Sequence, residues 1–417
     1  SSAGDEISAG LAHAPMPVWW FMPQFPANAE FFKSVSIFCT LLFGALSYRW
    51  LRLRGQGLPL SALIVLLTLF NANVFRHASN AFSEMGYAMI AMVALISLER
   101  YTRRARPTWY EAAIPAVAVA AGFYVRTFGI TLAAAGVVYL LFQRRYRAAG
   151  WLAAWCALLI APWFLHTLTT PSTTPGYWDE LTMRYLEVPA RGSVTPAEFA
   201  FRVIVNLRDY LLAGMPGAIF PSFIRLTHVN MAEALRFGAP FPGSDVLAAL
   251  VLGTSFLSQL VFRRALVDWY LFFYLGMCLI WPWEPSRFMF PMIPILYLYF
   301  FAMIETFAQP LLRSRPAWRR RLRRGSFALL MLFVVANGAL QARYAGQIQR
   351  GPHPQYADEW AARYRAFAWI REHTPADAVL ASLDDYQIYL YTDRQTVRHI
   401  DEAAPLLTYG VEYVVMV

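Results

Sequence analysis

Long apolar runs separated by short arginine-rich loops set the pattern of this chain. A membrane-crossing helix needs roughly 17 to 25 mostly apolar residues. Runs of about that length predict spans near 31–49, 58–75, 82–98, 148–167, 244–262, 265–282, 288–307 and 326–343. The segment from Glu111 to Phe142 is too long for one span and is interrupted by Gly122, Arg126 and Gly129. Clusters of arginine occur at Arg49, Arg52 and Arg54; at Arg100, Arg103, Arg104 and Arg106; at Arg144, Arg145 and Arg147; at Arg263 and Arg264; and from Arg313 to Arg324. Positive loops stay cytoplasmic. Both ends of the 111–142 segment therefore face inward, which requires an even number of passes, and two short helices meeting near Arg126 satisfy it. With that hairpin every cluster falls on one side.

The same alternation places residues 1–30, Arg76 to Ala81, Leu168 to Gly243 and everything after Arg343 outside. Within the long outer loop, Phe199 to Leu212 sets Arg202, Asn206 and Asp209 at helical spacing against Phe201, Val205 and Leu212. That amphipathic helix is expected to lie in the membrane interface and to floor an external site. From about Gly351 the pattern changes to that of a small soluble α/β unit. Tyr356, Trp360, Tyr364 and Phe367 form a helical stripe stopped at Thr374-Pro375, and Ala378–Ser382 and Val411–Val417 read as strands. The expected fold class is thus a polytopic α-helical membrane protein, spanning 31–343, with a small extracytoplasmic α/β domain at 344–417. The chain opens at Ser1 without a methionine and closes on an apolar run, so we read it as a fragment. A first transmembrane helix is expected upstream, and the last strand is expected to be cut short.

Composition agrees: 58% of the 417 residues are hydrophobic and 15% charged, more apolar surface than one soluble core of this length would bury. The net charge of +10 argues against nucleic acid once its distribution is considered, because the arginines sit between apolar runs rather than along one soluble face. They are topology signals, and the stretch from Arg313 to Arg324 suits anionic membrane lipids. Cys39, Cys156 and Cys278 all lie in apolar runs with no metal-ligand spacing.

Glu84 is the most informative residue. It sits at the outer mouth of an apolar run, where a carboxylate must be solvated, paired or used. Arg76 and His77 are nearby partners for a purely structural pairing. Arg126, at the hairpin tip, must meet either a carboxylate or an anionic ligand for the same reason. His166, without a second histidine at ligand spacing, reads as a satisfied polar residue.

Four stretches then carry a resemblance. They are Ser83-Glu84-Met85-Gly86-Tyr87 opening a span that ends Leu98-Glu99-Arg100-Tyr101; Val125-Arg126-Thr127-Phe128-Gly129-Ile130; Arg287-Phe288-Met289-Phe290-Pro291-Met292-Ile293-Pro294; and Ala368 to Pro375 with Leu390-Tyr391-Thr392-Asp393-Arg394. In order and topology these resemble the GT-C class of membrane glycosyltransferases, in the bacterial branch similar to protein O-mannosyltransferases and lipid A aminoarabinose transferases. The resemblance implies an inner-membrane enzyme that moves a sugar from a polyprenyl-phosphate carrier to a lipid, glycan or protein hydroxyl at the outer face. Such transfer needs a carboxylate base for the weak hydroxyl nucleophile. It also needs a fixed cation or a divalent metal ion for the leaving phosphate, and the sequence leaves that choice open. The family places its base in the first external loop, which matches Asp5 and Glu6, and a second external acid that orients acceptor or metal, which matches Glu84. Arg287 is the matching candidate for the carrier phosphate, with Arg126 as a second candidate, since arginine's planar fork suits phosphate. Tyr177, Trp178 and Arg184 are candidates for sugar or acceptor contact, against an ordinary role as interfacial anchors. The family's proline after the second acid is replaced here by Gly86. Two rival classes remain: a transporter or flippase of lipid-linked substrates, which would favour duplicated halves and a midplane site, and a catalytically silent scaffold of the same fold.

Overall fold

The computed structural model describes residues 29–78, 83–169, 181–182, 193–219, 243–281, 285–312, scattered residues between 325 and 343, 354–382, 385–398 and 410–415. Over these the chain is mostly helical. Helix α1 (Ala29–Leu53) is followed by α2 (Leu58–Leu69), α3 (Ala72–Ala78) and α4 (Ser83–Arg103). Next come α5 (Ala113–Val125), α6 (Ile130–Phe142) and α7 (Tyr146–Thr169). After the outer loop, α8 (Pro196–Asp209) runs through a π turn, Tyr210–Gly214, into α9 (Met215–Ile219). Helices α10 (Gly243–Ser258), α11 (Leu266–Ile280) and α12 (Ile293–Leu312) complete the apolar part, with a 3₁₀ segment, Pro285–Met292, leading into α12.

Among the described residues, four stretches are long and apolar enough to cross a membrane: Ser34–Leu53, Tyr146–Thr169, Val246–Arg263 and Phe288–Thr306. Their outward faces leave Phe38, Leu41, Leu158, Leu165, Leu250 and Phe262 exposed, apolar flanks that lipid would cover. Inside, α4 lies along α1 and α5, while α6 packs on α7 and α11. Gly136 permits a close approach: a Cβ there would stand 2.8 Å from Leu152 and 2.9 Å from Leu98, where α4, α6 and α7 converge.

The expected hairpin is present. Helices α5 and α6 meet at Arg126, whose backbone is extended, and at the 3₁₀ turn Thr127–Gly129. The turn folds back so tightly that a Cβ on Gly129 would lie 2.2 Å from the Phe123 nitrogen, which only glycine allows. The other ends of both helices lie with the arginine clusters. Arg104 pairs with Glu111 before α5, and Arg264 sits 6.0 Å from the Phe142 ring at the end of α6. At this same end Glu99 accepts from Arg54 at 2.8 Å, from Arg103 at 3.2 Å and from the Trp50 indole at 3.0 Å. Arg145 donates to the carbonyls of Thr102 and Arg104. The arginines thus occupy the carbonyl-rich C-terminal ends of α1 and α4, where cations are favoured.

One expected span is corrected. The span at 58–75 is not continuous: α2 is 12 residues, about 18 Å at roughly 1.5 Å per residue. That is short of a hydrocarbon core of about 30 Å. The chain turns at Phe70 and Asn71 because the Asn71 side chain takes over the hydrogen bonding. Its Oδ1 accepts from the Asn73 nitrogen at 3.0 Å, capping α3, and its Nδ2 donates to Ala218 O at 2.6 Å. The span expected at 288–307 is present as Phe288–Thr306, opening as a 3₁₀ segment that becomes α-helical at Ile293, since Pro291 and Pro294 cannot donate to the preceding turn.

The tail contains α13 (Pro354–His373), β1 (Val379–Ser382), α14 (Asp385–Thr392), β2 (Gln395–Arg398) and β3 (Tyr413–Val414). The three strands are parallel in the order β2-β1-β3. Sequence reasoning found α13, β1 and a shortened β3 but not α14 or β2. The stripe is also revised: Phe367 and Ile370 enter the small core with Leu380 and Ile388, whereas Tyr364 is exposed and meets Tyr391 edge-on. Tyr356 and Trp360 lie on α13 with side chains outside the described part.

Gly129→Ala should therefore destabilise the protein by about 2 kcal/mol or more, as overpacking against rigid backbone does. Gly150→Ala on α7, where a Cβ meets nothing within 4 Å, should leave stability unchanged or raise it. Thermal unfolding in detergent micelles compares the two.

Candidate functional site

At the end of the bundle opposite the arginine clusters, helix termini converge. Helix α4 opens there with Glu84 in its first turn, where unpaired backbone N–H groups favour a carboxylate. The α5–α6 hairpin places Arg126 at the same level, its nitrogen donating to Gly122 O at 2.9 Å and its carbonyl accepting from Gly129 at 2.8 Å. Since the hinge residue is extended rather than helical, its side chain leaves the helix path, and Arg126 Nη1 reaches Glu84 Oε1 at 2.8 Å. The Glu84 side chain is 3% exposed and that of Arg126 15%. Arg126 therefore meets a carboxylate, one of the two partners that the sequence left open for it. Arg76 and His77, the nearby alternatives for Glu84, have side chains outside the described part.

The guanidinium also lies over the Phe288 ring, 5.0 Å from its centroid. Phe288 stacks on Phe128 at 5.1 Å, and Phe128 in turn meets Tyr274 at 5.1 Å and Trp281 at 6.0 Å. Tyr87, one turn beyond Glu84, shares a hydrogen bond with Tyr270 at 3.3 Å and stacks on Tyr274. The Tyr274 hydroxyl donates to Phe288 O at 2.7 Å. The ion pair thus rests on a rigid aromatic bed with its hydroxyls tied down. Arg287 precedes Phe288 on the 3₁₀ segment, which packs against α4, so its backbone is next in the chain to the residue whose ring lies by Arg126. The Arg287 side chain is outside the described part, as are Asp5, Glu6, Tyr177, Trp178 and Arg184 entirely.

Surrounding elements are fixed by side chains that take up otherwise unmatched carbonyls. Asn206 on α8 donates to Leu279 O and Trp281 O, both at 2.8 Å, closing the end of α11. Asn73 and Tyr297 donate to Gly217 O and Ile219 O at 3.2 and 2.6 Å, closing the end of α9. Helix α8 forms as expected, started by a Thr195–Glu198 capping box. Its polar residues turn toward the protein: Arg202 donates to Leu181 O at 2.7 Å, while Phe201, at 67% exposure, and Ile204 face outward.

Sequence reasoning missed several residues here. Tyr270 and Tyr274 recur at i and i+4 in an otherwise apolar helix, a signal that was readable. Asp268 went unremarked, yet at the opposite end of α11 it is fully buried, accepts from the Ala265 nitrogen at 2.7 Å and bonds the Tyr299 hydroxyl. Its position in the first turn of a span, just after Arg263 and Arg264, was the available sign.

Among the described residues no three His, Cys, Asp or Glu side chains converge to hold a metal ion. Glu84 faces the Arg126 guanidinium.

No protein-family model matches the sequence, and no curated protein matches it either. Among solved structures, the chain is similar to the archaeal oligosaccharyltransferase AglB from Archaeoglobus fulgidus, in complex with an inhibitory peptide and a dolichol-phosphate. The TM-score is 0.43 and the identity 11%. The likeness covers 88% of this chain and 52% of that one, so the chain spans about half of that protein's length.

A buried ion pair is harder to halve than to replace. Arg126→Met takes away the guanidinium facing Glu84 and should cost about 3–5 kcal/mol. Glu84→Leu/Arg126→Met together should recover most of that loss. Equal melting temperatures for the single and double variants would show that the pair is not coupled.

Proposed function

We propose that this chain is an integral-membrane glycosyltransferase, moving a sugar from a polyprenyl-phosphate carrier to a hydroxyl on a lipid, glycan or protein at the outer face of the inner membrane. The observation that carries the reading is the Glu84–Arg126 pair at the broken-helix end of the bundle, with Arg287 on the neighbouring 3₁₀ segment. It sets a carboxylate and a guanidinium among apolar helices, the combination that hydroxyl attack on a lipid-linked phosphate ester needs. The four stretches that resemble the GT-C class support it, since two of them supply this pair and a third supplies Arg287.

The chemistry follows from the charges. The acceptor oxygen bonds to the anomeric carbon as the bond from that carbon to the phosphate oxygen breaks. The electron pair leaves with the phosphate, whose charge rises, and the acceptor proton passes to a carboxylate of the Asp5-Glu6 pair. Glu84 orients the acceptor. Arg126 and Arg287 oppose the charge that develops on the phosphate, an interaction stronger between apolar walls than in water. Helix α8 lies in the membrane interface with Phe201 and Ile204 toward lipid, and the tail from 344 lies on the extracytoplasmic side.

Full-length protein in proteoliposomes, given radiolabelled polyprenyl-phosphate sugars, should transfer label to an extractable acceptor. Glu84→Gln and Asp5→Asn, at matched protein levels, should lower the rate at least about a hundredfold. Movement of labelled lipid between leaflets without transfer would replace the enzyme by a transporter. Activity that survives both substitutions would remove these carboxylates from the mechanism.

A further inference from the structure

Tyr210 is where α8 stops being α-helical, at the first residue of the π turn Tyr210–Gly214. Isolated π turns are uncommon and recur where a helix re-aims a side chain at a working site. The Tyr210 residue is 1% exposed, and its hydroxyl finds no hydrogen-bond partner among the described residues. The Cys278 thiol lies against it, a weak partner. Other buried tyrosines nearby are all engaged. Tyr87 and Tyr270 bond each other, Tyr274 holds Phe288 O, Tyr297 holds Ile219 O and Tyr299 holds Asp268. Native interiors keep few buried hydroxyls so weakly matched; among the described residues Ser47 and Thr108 also have unmatched hydroxyls, and Tyr210 is the one that packs beside the candidate site.

Its placement suggests what it is for. The π turn packs against the 3₁₀ segment Pro285–Met292, which carries Arg287 and sets the Phe288 ring beneath Arg126. Cys278, against Tyr210, stands one turn along α11 from Tyr274, which holds the carbonyl of Phe288, and the Phe288 ring lies beneath Arg126. Among the described residues the Arg126 guanidinium makes one ion pair, through Nη1, and lies over one ring, so it has further N–H groups to offer an anion. A phosphate taken up there would meet a cation on one side and a neutral O–H donor on the other.

We propose that Tyr210 is a phosphate-binding residue, whose hydroxyl donates to an oxygen of the carrier phosphate held by Arg126. The proposal rests on the glycosyl-transfer reading and adds a neutral donor to its site. As the sugar leaves, the phosphate becomes a monoester of higher charge, and a fixed O–H donor strengthens its hold as that charge develops.

The test uses the full chain in detergent micelles with three probes: farnesyl phosphate, farnesol and inorganic phosphate. Tyr210→Phe removes only the hydroxyl. Its melting temperature without ligand should equal or exceed that of the wild type, because a buried unsatisfied group has gone. Its affinity for farnesyl phosphate should fall about tenfold or more, with farnesol binding unchanged. A purely structural tyrosine gives the reverse, a lower melting temperature and equal loss for farnesol and farnesyl phosphate, and that result overturns the proposal. Equal affinity of variant and wild type for farnesyl phosphate overturns it alone and leaves glycosyl transfer standing. If the wild type binds neither phosphate probe, both readings fall together. Inorganic phosphate bound as tightly as farnesyl phosphate, with the same dependence on Tyr210, upholds the contact and assigns it to free phosphate rather than to a lipid.

Discussion

An ion pair set among apolar helices organises one end of this molecule. Neither Glu84 nor Arg126 can stay charged between apolar helices alone, so the first turn of α4 and the break between α5 and α6 must stand side by side. That juxtaposition constrains much around it. The hairpin must turn within a few residues, which requires Gly129 against the backbone of α5. The 3₁₀ segment before α12 must bring Phe288 beneath the guanidinium, and Tyr274 secures that segment through the Phe288 carbonyl. The pair is at once a structural tie and a charged site, and a ligand that takes one member must satisfy the other.

The two ends of the bundle solve the same problem by different means. Helix ends expose backbone groups that apolar surroundings will not satisfy. At the end with the arginine clusters, long cationic side chains reach back to the carbonyls: Arg145 to those of Thr102 and Arg104, Arg103 to that of Leu53 at 3.2 Å. At the other end the same task falls to neutral amides and phenols, Asn71, Asn73, Asn206, Tyr274 and Tyr297. With few cations committed to carbonyls there, Arg126 can face a carboxylate, and the neutral bracing keeps the charge of the site concentrated in a small place.

Much of the fold was legible because it depends on local patterns. Apolar run lengths located most helices, and the arginine clusters required the hairpin at Arg126 before any contact was seen. Where the reading failed, local hydrophobicity was overruled by a single side chain. Leu58 to Phe75 is apolar enough for one span, yet Asn71 bonds across the bundle to Ala218 and breaks it. In the tail, β2 and α14 lack a strong period, and only pairing with β1 makes Gln395–Arg398 a strand. The site was half legible. Glu84 and Arg126 each stood out as charges in apolar runs, but 42 residues of chain separate them and no spacing rule joins them.

The sequence by itself determined that this chain is built of apolar helices with one arginine-rich end, since run length and charge are additive along a chain. It also marked which polar residues needed an explanation. Only the tertiary structure decided that Glu84 and Arg126 explain each other, that Tyr270 and Tyr274 share their surroundings, and that the Tyr210 hydroxyl has, among the described residues, no partner stronger than the Cys278 thiol. Those facts depend on which helix ends meet. Meeting is settled by packing at Gly129 and Gly136 and by side chains closing distant carbonyls, interactions between residues far apart that no local pattern encodes.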